Sequence, residues 1–143
     1  MRYALVLLLA CIMTAPAQAR IPKPSAEQMR RFTRELDQLE KTFFDTERQG
    51  QQFGDRFWRE SKRVADRNGP DIIAAIMLRG RKWRGEEGLI FSPLVDLLPR
   101  ERTLAILHAY QRAGRPSDRV WAREFMIEFE AEDSQEGVRR YGK

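Results

Sequence analysis

The sequence predicts an all-α fold, a small bundle of five or six helices. Apolar residues recur every three or four positions through much of the chain, which is the period of an amphipathic helix. Glycine, proline and short polar residues divide this pattern into segments of helical length. No segment alternates apolar and polar residues as a half-buried strand does, and no internal repeat is visible.

Residues 1–19 contain the three parts of a secretory signal peptide. A basic start at Arg2 precedes an apolar run over residues 4–13, and the small residues Ala17 and Ala19 frame a cleavage site. The run is shorter than the roughly 20 apolar residues that span a bilayer. We therefore expect cleavage after Ala19 and export of a periplasmic or secreted domain.

The signal segment leaves one alternative open. Residues 8–11, which end in Cys11, resemble the box that is cut and lipidated in bacterial lipoproteins. Lipidation there would anchor the same domain to a membrane. Cleavage after Ala19 would instead remove the only cysteine, so that packing without disulfides must stabilise the domain.

Composition narrows the classes of partner. The chain has 26 Lys and Arg against 21 Asp and Glu, a net charge of +5, and one histidine. This excludes cysteine-rich scaffolds and His-rich zinc sites, and no cofactor or metal is expected. A basic exported protein is expected to meet anionic lipid, cell-wall polymer or an acidic protein, and not nucleic acid.

The predicted organisation is one helical domain with short extensions. Residues 20–24 form an extended, Pro-spaced leader, residues 25–131 the helical domain, and residues 132–143 a flexible tail with acidic and basic residues. Residues 124–136, which overlap the start of this tail, are also rich in carboxylates. A solvated helix face is expected for them, and a metal site is the alternative.

The first helix begins with a capping box, because Ser25 is followed by Gln28 three residues later. A continuous apolar stripe follows, formed by Met29, Phe32, Leu36, Leu39 and Phe43. The stripe resumes in phase at Phe53 and Phe57, so one long helix over residues 26–67 is conceivable. Glycines at 50 and 54 favour a kink or break near Gly50–Gly54 instead.

Later boundaries are marked by proline and glycine. Asn68-Gly69 ends one helix and Pro70 starts the next, whose apolar residues 72–78 predict a buried central helix, with a buried strand as the alternative. Ser92-Pro93 predicts the cap and first turn of a short helix. Another helix runs from Pro99 to Gly114. Ser117-Asp118 caps a last helix, whose apolar side comprises Val120, Trp121, Phe125, Met126 and Phe129.

The strongest local signal for binding is the basic loop, which we define as residues 79–84. It has four cations and one tryptophan, and Gly80 and Gly85 are expected to free its backbone. Guanidinium groups match phosphates and carboxylates, and an indole suits an interface. The predicted partner- or anion-binding residues are Arg79, Arg81, Lys82, Trp83 and Arg84. The alternative is a solvated loop whose Trp83 packs on the bundle.

Two other features bear on function. Phe43-Phe44 and Phe57-Trp58 place neighbouring aromatic side chains in different directions, so one helix face cannot bury them all. Surplus aromatic residues of this kind can mark a protein-binding surface. His108 lies in an apolar helix, where a packed or half-exposed residue is expected and a pH-sensitive contact is the alternative.

A short series of motifs resembles the lytic transglycosylases, helical exported enzymes that cleave peptidoglycan. Glu60-Ser61, residues 88–91 and Ala109-Tyr110 follow the order of the family's three motifs. The resemblance implies that Glu60 is the acid and base and Tyr110 a supporting residue. The second motif lacks the family's glutamine and the third its asparagine.

The sequence therefore favours a non-enzymatic interaction protein of the bacterial envelope. An inhibitor or immunity protein would plug a partner through a loop, whereas a chaperone or assembly factor would use an apolar face along residues 29–64. The alternatives are a binder of anionic lipid or cell-wall polymer through the basic loop, and a peptidoglycan lytic enzyme acting through Glu60. The oligomeric state is not predicted.

Overall fold

The structure is a computed structural model that describes residues 20–51 and 53–141, with side chains except those of Glu86, Glu128 and residues 130–141. Six α-helices and two short 3-10 helices make up this part of the chain, without a strand, so the predicted all-α bundle is confirmed. The expected signal peptide and Cys11 lie outside the described residues, as do Gly142 and Lys143.

The six helices are α1 (Ala26–Arg48), α2 (Asp55–Asn68), α3 (Ile73–Gly80), α4 (Ser92–Asp96), α5 (Arg100–Ala113) and α6 (Pro116–Tyr141). The 3-10 helices span Pro70–Ile72 and Glu86–Phe91. Helix α5 packs chiefly against α6 and α1 against α2, while α3 contacts α1 and α6. The tail from residue 132 continues α6 to Tyr141, and its flexibility stays a prediction.

The predicted break in the first segment is confirmed. Helix α1 ends at Arg48, α2 begins at Asp55, and Gly50 adopts a φ of 73° that is easy for glycine alone. The predicted capping box is also present, because Gln28 N–H donates to Ser25 Oγ over 3.1 Å and Ser25 N–H donates to Gln28 Oε1 over 2.9 Å.

The core lies around α3. All residues from Ile72 to Met77 are buried in a helix, which decides against the strand, and Leu78 alone of the apolar run is exposed, at 48%. The boundary before it is as predicted: Gly69 ends α2 with a φ of 67°, and Pro70 takes the first position of the next turn. The α1 stripe from Phe32 to Phe43 faces this core.

Three details of the later helices differ from prediction. Ser92 is the first residue of α4 and not its cap, because its N–H already donates to the Leu89 carbonyl of the preceding 3-10 helix. Helix α6 starts at Pro116, one residue before the expected cap. Val120 is 58% exposed, because Trp121, Phe125 and Phe129 define the inward face of α6 and Val120 lies beside it.

Candidate functional site

The basic loop begins where α3 ends, and its first cation is held by α1. The Arg79 guanidinium donates to Glu40 Oε2 over 2.9 Å and also to Asp37. Burial alone would lower the pKa of Arg79, but the hydrogen bonds to the two carboxylates outweigh it and raise this pKa above its ordinary value. Arg79 therefore fastens α3 to α1.

The other three cations of the loop differ in their surroundings. The Arg81 guanidinium lies 3.5 Å from Asp118 Oδ2 on α6. Lys82 and Arg84 are exposed, and within the described part of the chain no ion pair holds either side chain. Two of the four predicted binding cations are thus paired inside the protein, and two remain available to a ligand.

Trp83 packs on the bundle. Its ring centroid lies 4.8 Å from that of Trp121 in an edge-on arrangement and 5.7 Å from that of Phe91 in a stacked one. Gly80 and Gly88 make room for the two indoles: an added Cβ would lie 3.0 Å from a Trp121 atom at Gly80 and 2.4 Å at Gly88. The sequence led us to expect that Gly80 frees the backbone of the loop. In the structure, the absence of a side chain at Gly80 instead leaves space for the indoles to pack.

A second candidate surface lies where α1 turns into α2. We define the aromatic patch as Phe44, Phe53 and Trp58, which are 46%, 38% and 40% exposed. The neighbouring Phe43 and Phe57 are buried, at 7% and 0%. The prediction that these adjacent pairs cannot all face the core is confirmed, because one member of each pair points to solvent.

Buried rings support the aromatic patch from beneath. The Phe43 centroid lies 5.5 Å from that of Phe44 and 5.2 Å from that of Phe53, and the Phe57 centroid lies 5.6 Å from that of Phe53. Such contacts add about 0.5–1.5 kcal/mol each beyond area burial. Two of the exposed rings are therefore held in place by the core.

Phe53 also has an unusual backbone. Its φ of 50° makes it the one non-glycine residue with positive φ among those described. The left-handed region costs an ordinary L-residue roughly 1–2 kcal/mol. Strained residues of this kind are concentrated at functional sites. Phe53 thus combines a strained backbone with an exposed aromatic ring, in the turn between α1 and α2.

The start of α2, beside the aromatic patch, carries two arginines and the carboxylate of Asp55. Arg56 and Arg59 are exposed on the first two turns of α2, and neither forms an ion pair with a described residue. Farther along α2, Lys62 pairs with Asp66. The patch is thus a cluster of exposed rings bordered by two guanidinium groups that are free to meet a partner.

A groove near the N-terminal end of α1 was not predicted. A pocket of about 450 Å³ lies between the leader, α3 and the turn that joins α5 to α6, and a second of about 370 Å³ lies against α1. Both are lined by Met29 and Leu78, so they adjoin at these residues, and we call the two together the basic groove. The exposed Leu78 at the end of a buried run was the signal available in the sequence.

Asp118 lines the larger pocket of the basic groove. It is 2% exposed, its Oδ2 accepts from the Arg115 N–H over 3.1 Å, and its Oδ1 is buried without a hydrogen-bond partner in the described structure. Burial and the Asp118 carboxylate raise the pKa of Tyr110 to about 12, against the opposing effect of Arg81. Tyr110 therefore keeps its proton at neutral pH.

The residues implied by the transglycosylase resemblance have different surroundings. Glu60 lies on α2, half-buried, with its carboxylate 3.4 Å from Arg63 on the same helix. Tyr110 lies on α5, near Asp118 and Arg81. Its role as a supporting residue for Glu60, and the lytic activity, stay predictions. His108 is exposed on α5.

The described residues offer neither a metal cluster nor a membrane-spanning helix. No group of three or more His, Cys, Asp and Glu side chains there is placed to hold a metal ion. None of the described helices has an apolar stretch that is long enough to cross a membrane. Glu124 is exposed, as a solvated acidic face requires, and the carboxylates of Glu128 and residues 130–136 lie outside the described side chains.

Three surfaces are thus candidates for function: the basic loop, in which two of the four cations are paired within the bundle, the aromatic patch and the basic groove. No protein-family model, curated protein or solved structure matches this chain.

Proposed function

We propose that this chain is an exported, non-enzymatic interaction protein of the bacterial envelope that binds a protein partner through the aromatic patch. The observation that carries the proposal is the exposure of Phe44, Phe53 and Trp58 at and beside the α1–α2 turn, where Phe44 and Phe53 contact buried aromatic rings. Aromatic residues and arginine supply most hot spots in protein interfaces. The free Arg56 and Arg59 complete that composition.

The form of the surface favours one folded partner, as for an inhibitor or immunity protein. A chaperone for many unfolded clients would use a long apolar face along residues 29–64, but the stripe from Phe32 to Phe43 is turned into the core. What remains exposed is a small set of rings, two of which rest on buried ones. Preorganised anchors of this kind reduce the entropy lost on binding one complementary surface.

The basic loop carries the alternative proposal, binding of anionic lipid or cell-wall polymer. Its free cations are Lys82 and Arg84, since Arg79 and Arg81 already pair with carboxylates. Salt-sensitive sedimentation with anionic vesicles or cell-wall polymer that is lost in Lys82→Ser/Arg84→Ser would support this alternative. Retention of such binding in the double variant would remove the loop from consideration.

The main proposal is tested by photo-crosslinking followed by reconstitution. A photo-crosslinking phenylalanine analogue at position 44, expressed in the envelope, is expected to give one dominant adduct that is absent when the analogue stands at Val120. The adduct is identified by mass spectrometry and the partner is purified. Phe44→Ala and Trp58→Ala should each weaken its binding by about 10-fold or more.

The matched control uses exposed apolar residues elsewhere. Val120→Ala and Ile127→Ala remove comparably exposed side chains from α6 and should leave the affinity within about 2-fold. Helix content from circular dichroism checks that each variant is folded. Unchanged affinity in folded Phe44→Ala and Trp58→Ala proteins would refute binding through the aromatic patch, and crosslinking to lipid alone would indicate a membrane-binding surface instead.

A further inference from the structure

The basic groove has the form and the charge of a peptide-binding site, separate from the aromatic patch. Its two pockets hold about 450 Å³ and 370 Å³ and meet at Met29 and Leu78. Leu78 is 48% exposed although the six residues before it are buried. The floor of the groove therefore offers an apolar contact that the fold leaves open.

Four arginines line the basic groove. Arg30 and Arg34 lie on α1 at one pocket, and Arg81 and Arg115 lie at the other. Arg30 and Arg34 are exposed, and no described residue forms an ion pair with either side chain. Both ends of the groove therefore present guanidinium groups.

The one carboxylate among the described lining residues neutralises Arg81, which leaves Arg30, Arg34 and Arg115 without an ion pair to a described residue. Asp118 is almost wholly buried, and its Oδ2 is engaged by the Arg115 N–H and, at 3.5 Å, by Arg81. A ligand in the groove would meet cations at its ends and apolar carbon between them. Complementary charge of this kind directs association and selects the partner.

The groove already has one wall of extended chain. Ile21, Pro22 and Pro24 of the leader line the larger pocket, and Ile21 packs against the core. A segment beside the leader would be bounded on one side by α1 and on the other by the turn between α5 and α6.

We propose that the basic groove binds an acidic, partly apolar peptide segment of a partner protein. The carboxylates of the segment are placed against Arg30, Arg34 and Arg115, and an apolar side chain between them is placed on Met29 and Leu78. Guanidinium groups bind carboxylates in a bidentate manner, which gives orientation as well as attraction. The proposal does not depend on the function of the aromatic patch.

The probe is a soluble 12-residue peptide with four glutamates and two leucines, labelled for fluorescence anisotropy. The control probe has lysine in place of each glutamate. We expect the acidic peptide to bind the chain with a Kd below about 100 μM at low salt, to weaken as salt screens the charges, and the lysine peptide not to bind.

Matched charge removal distinguishes the groove from the overall positive charge. Arg30→Ser/Arg34→Ser removes two exposed cations of the groove, and Lys82→Ser/Arg84→Ser removes two exposed cations outside it. The first variant should raise the Kd for the acidic peptide at least about 10-fold, and the second should raise it by less than about 2-fold. Leu78→Ser alters no charge and should raise the Kd for the acidic peptide by several-fold, because it removes an apolar contact from the floor of the groove.

Three results would overturn the proposal. The first is equal weakening by the two double variants, which would show non-specific attraction to a basic protein. The second is absence of acidic-peptide binding up to about 1 mM. The third is binding that persists in a folded Arg30→Ser/Arg34→Ser protein and is displaced by anionic vesicles, which would assign the charge to a lipid surface.

Discussion

Two turns of this molecule carry aromatic and cationic residues, and the fold uses them in opposite ways. In the turn that contains the basic loop, Trp83 packs against Trp121, and Arg79 is paired with carboxylates of α1. On either side of the turn between α1 and α2, Phe44 and Trp58 remain exposed, and Arg56 and Arg59 form no ion pair with a described residue. Residues of similar type therefore stabilise the bundle at the basic loop, whereas near the α1–α2 turn they form an exposed surface.

The reason for the difference is what each turn lies against. Residues of the basic loop contact α6 through Trp83 and Arg81 and α1 through Arg79, so their side chains find partners far away in the sequence. At the α1–α2 turn, the ring contacts of Phe53 are with Phe43 and Phe57, which belong to the adjoining ends of α1 and α2. A surface for recognition arises where the chain has more aromatic residues than neighbouring elements can cover.

The largest expected effect separates the two members of an adjacent aromatic pair. Phe57→Ala should lower the free energy of unfolding by about 3–5 kcal/mol, because Phe57 is 0% exposed, whereas Trp58→Ala should lower it by no more than about 1 kcal/mol. Urea unfolding followed by circular dichroism at 222 nm measures both. A loss in Trp58→Ala as large as that in Phe57→Ala would mean that Trp58 belongs to the core and the comparison fails.

A smaller effect is expected at Gly88, which lies against the indoles of Trp83 and Trp121. Gly88→Ala would place a Cβ 2.4 Å from Trp121, and overpacking of this kind costs about 1–3 kcal/mol. Gly85→Ala is the control, because no described atom lies within 4 Å of its Cβ position, and we expect a change within about 0.5 kcal/mol. The same urea titration applies, and equal stability of the two variants would show that the indoles yield easily.

The smallest effect concerns the cations of the basic loop. Arg79→Met removes the pairs with Asp37 and Glu40, and we expect a loss of about 0.5–1 kcal/mol that shrinks at about 1 M salt. Lys82→Met breaks no ion pair of the described structure and should change the stability by less than about 0.5 kcal/mol. The reverse order of the two losses would contradict the assignment of Arg79 to cohesion.

The features that the sequence predicted correctly are those set by near neighbours. The Ser25 capping box, the break at Gly50 and the Gly69-Pro70 boundary each depend on residues within a few positions of one another. The exposure of Phe44 and Trp58 followed from the angle between adjacent helix positions. These are local constraints, and local patterns express them.

The features that were missed depend on contacts between distant residues. Arg79 meets partners 39 and 42 positions earlier, and Arg81 meets one 37 positions later, so the local run of charge could not show that half of it is engaged. The role of Ser92 changed because a 3-10 helix leads directly into α4. The basic groove is assembled from the leader, α1, α3 and the α5–α6 turn, which no single segment of sequence contains.

The placement of the three tryptophans makes the molecule its own optical reporter. Trp83 and Trp121 lie with ring centroids 4.8 Å apart in the packed turn, while Trp58 stands in solvent on the aromatic patch. Emission from the first two follows the integrity of the bundle, and emission from Trp58 follows whatever covers the patch. A Trp58→Phe protein therefore isolates the folding signal, and the difference from the native spectrum isolates the binding signal, without an attached dye.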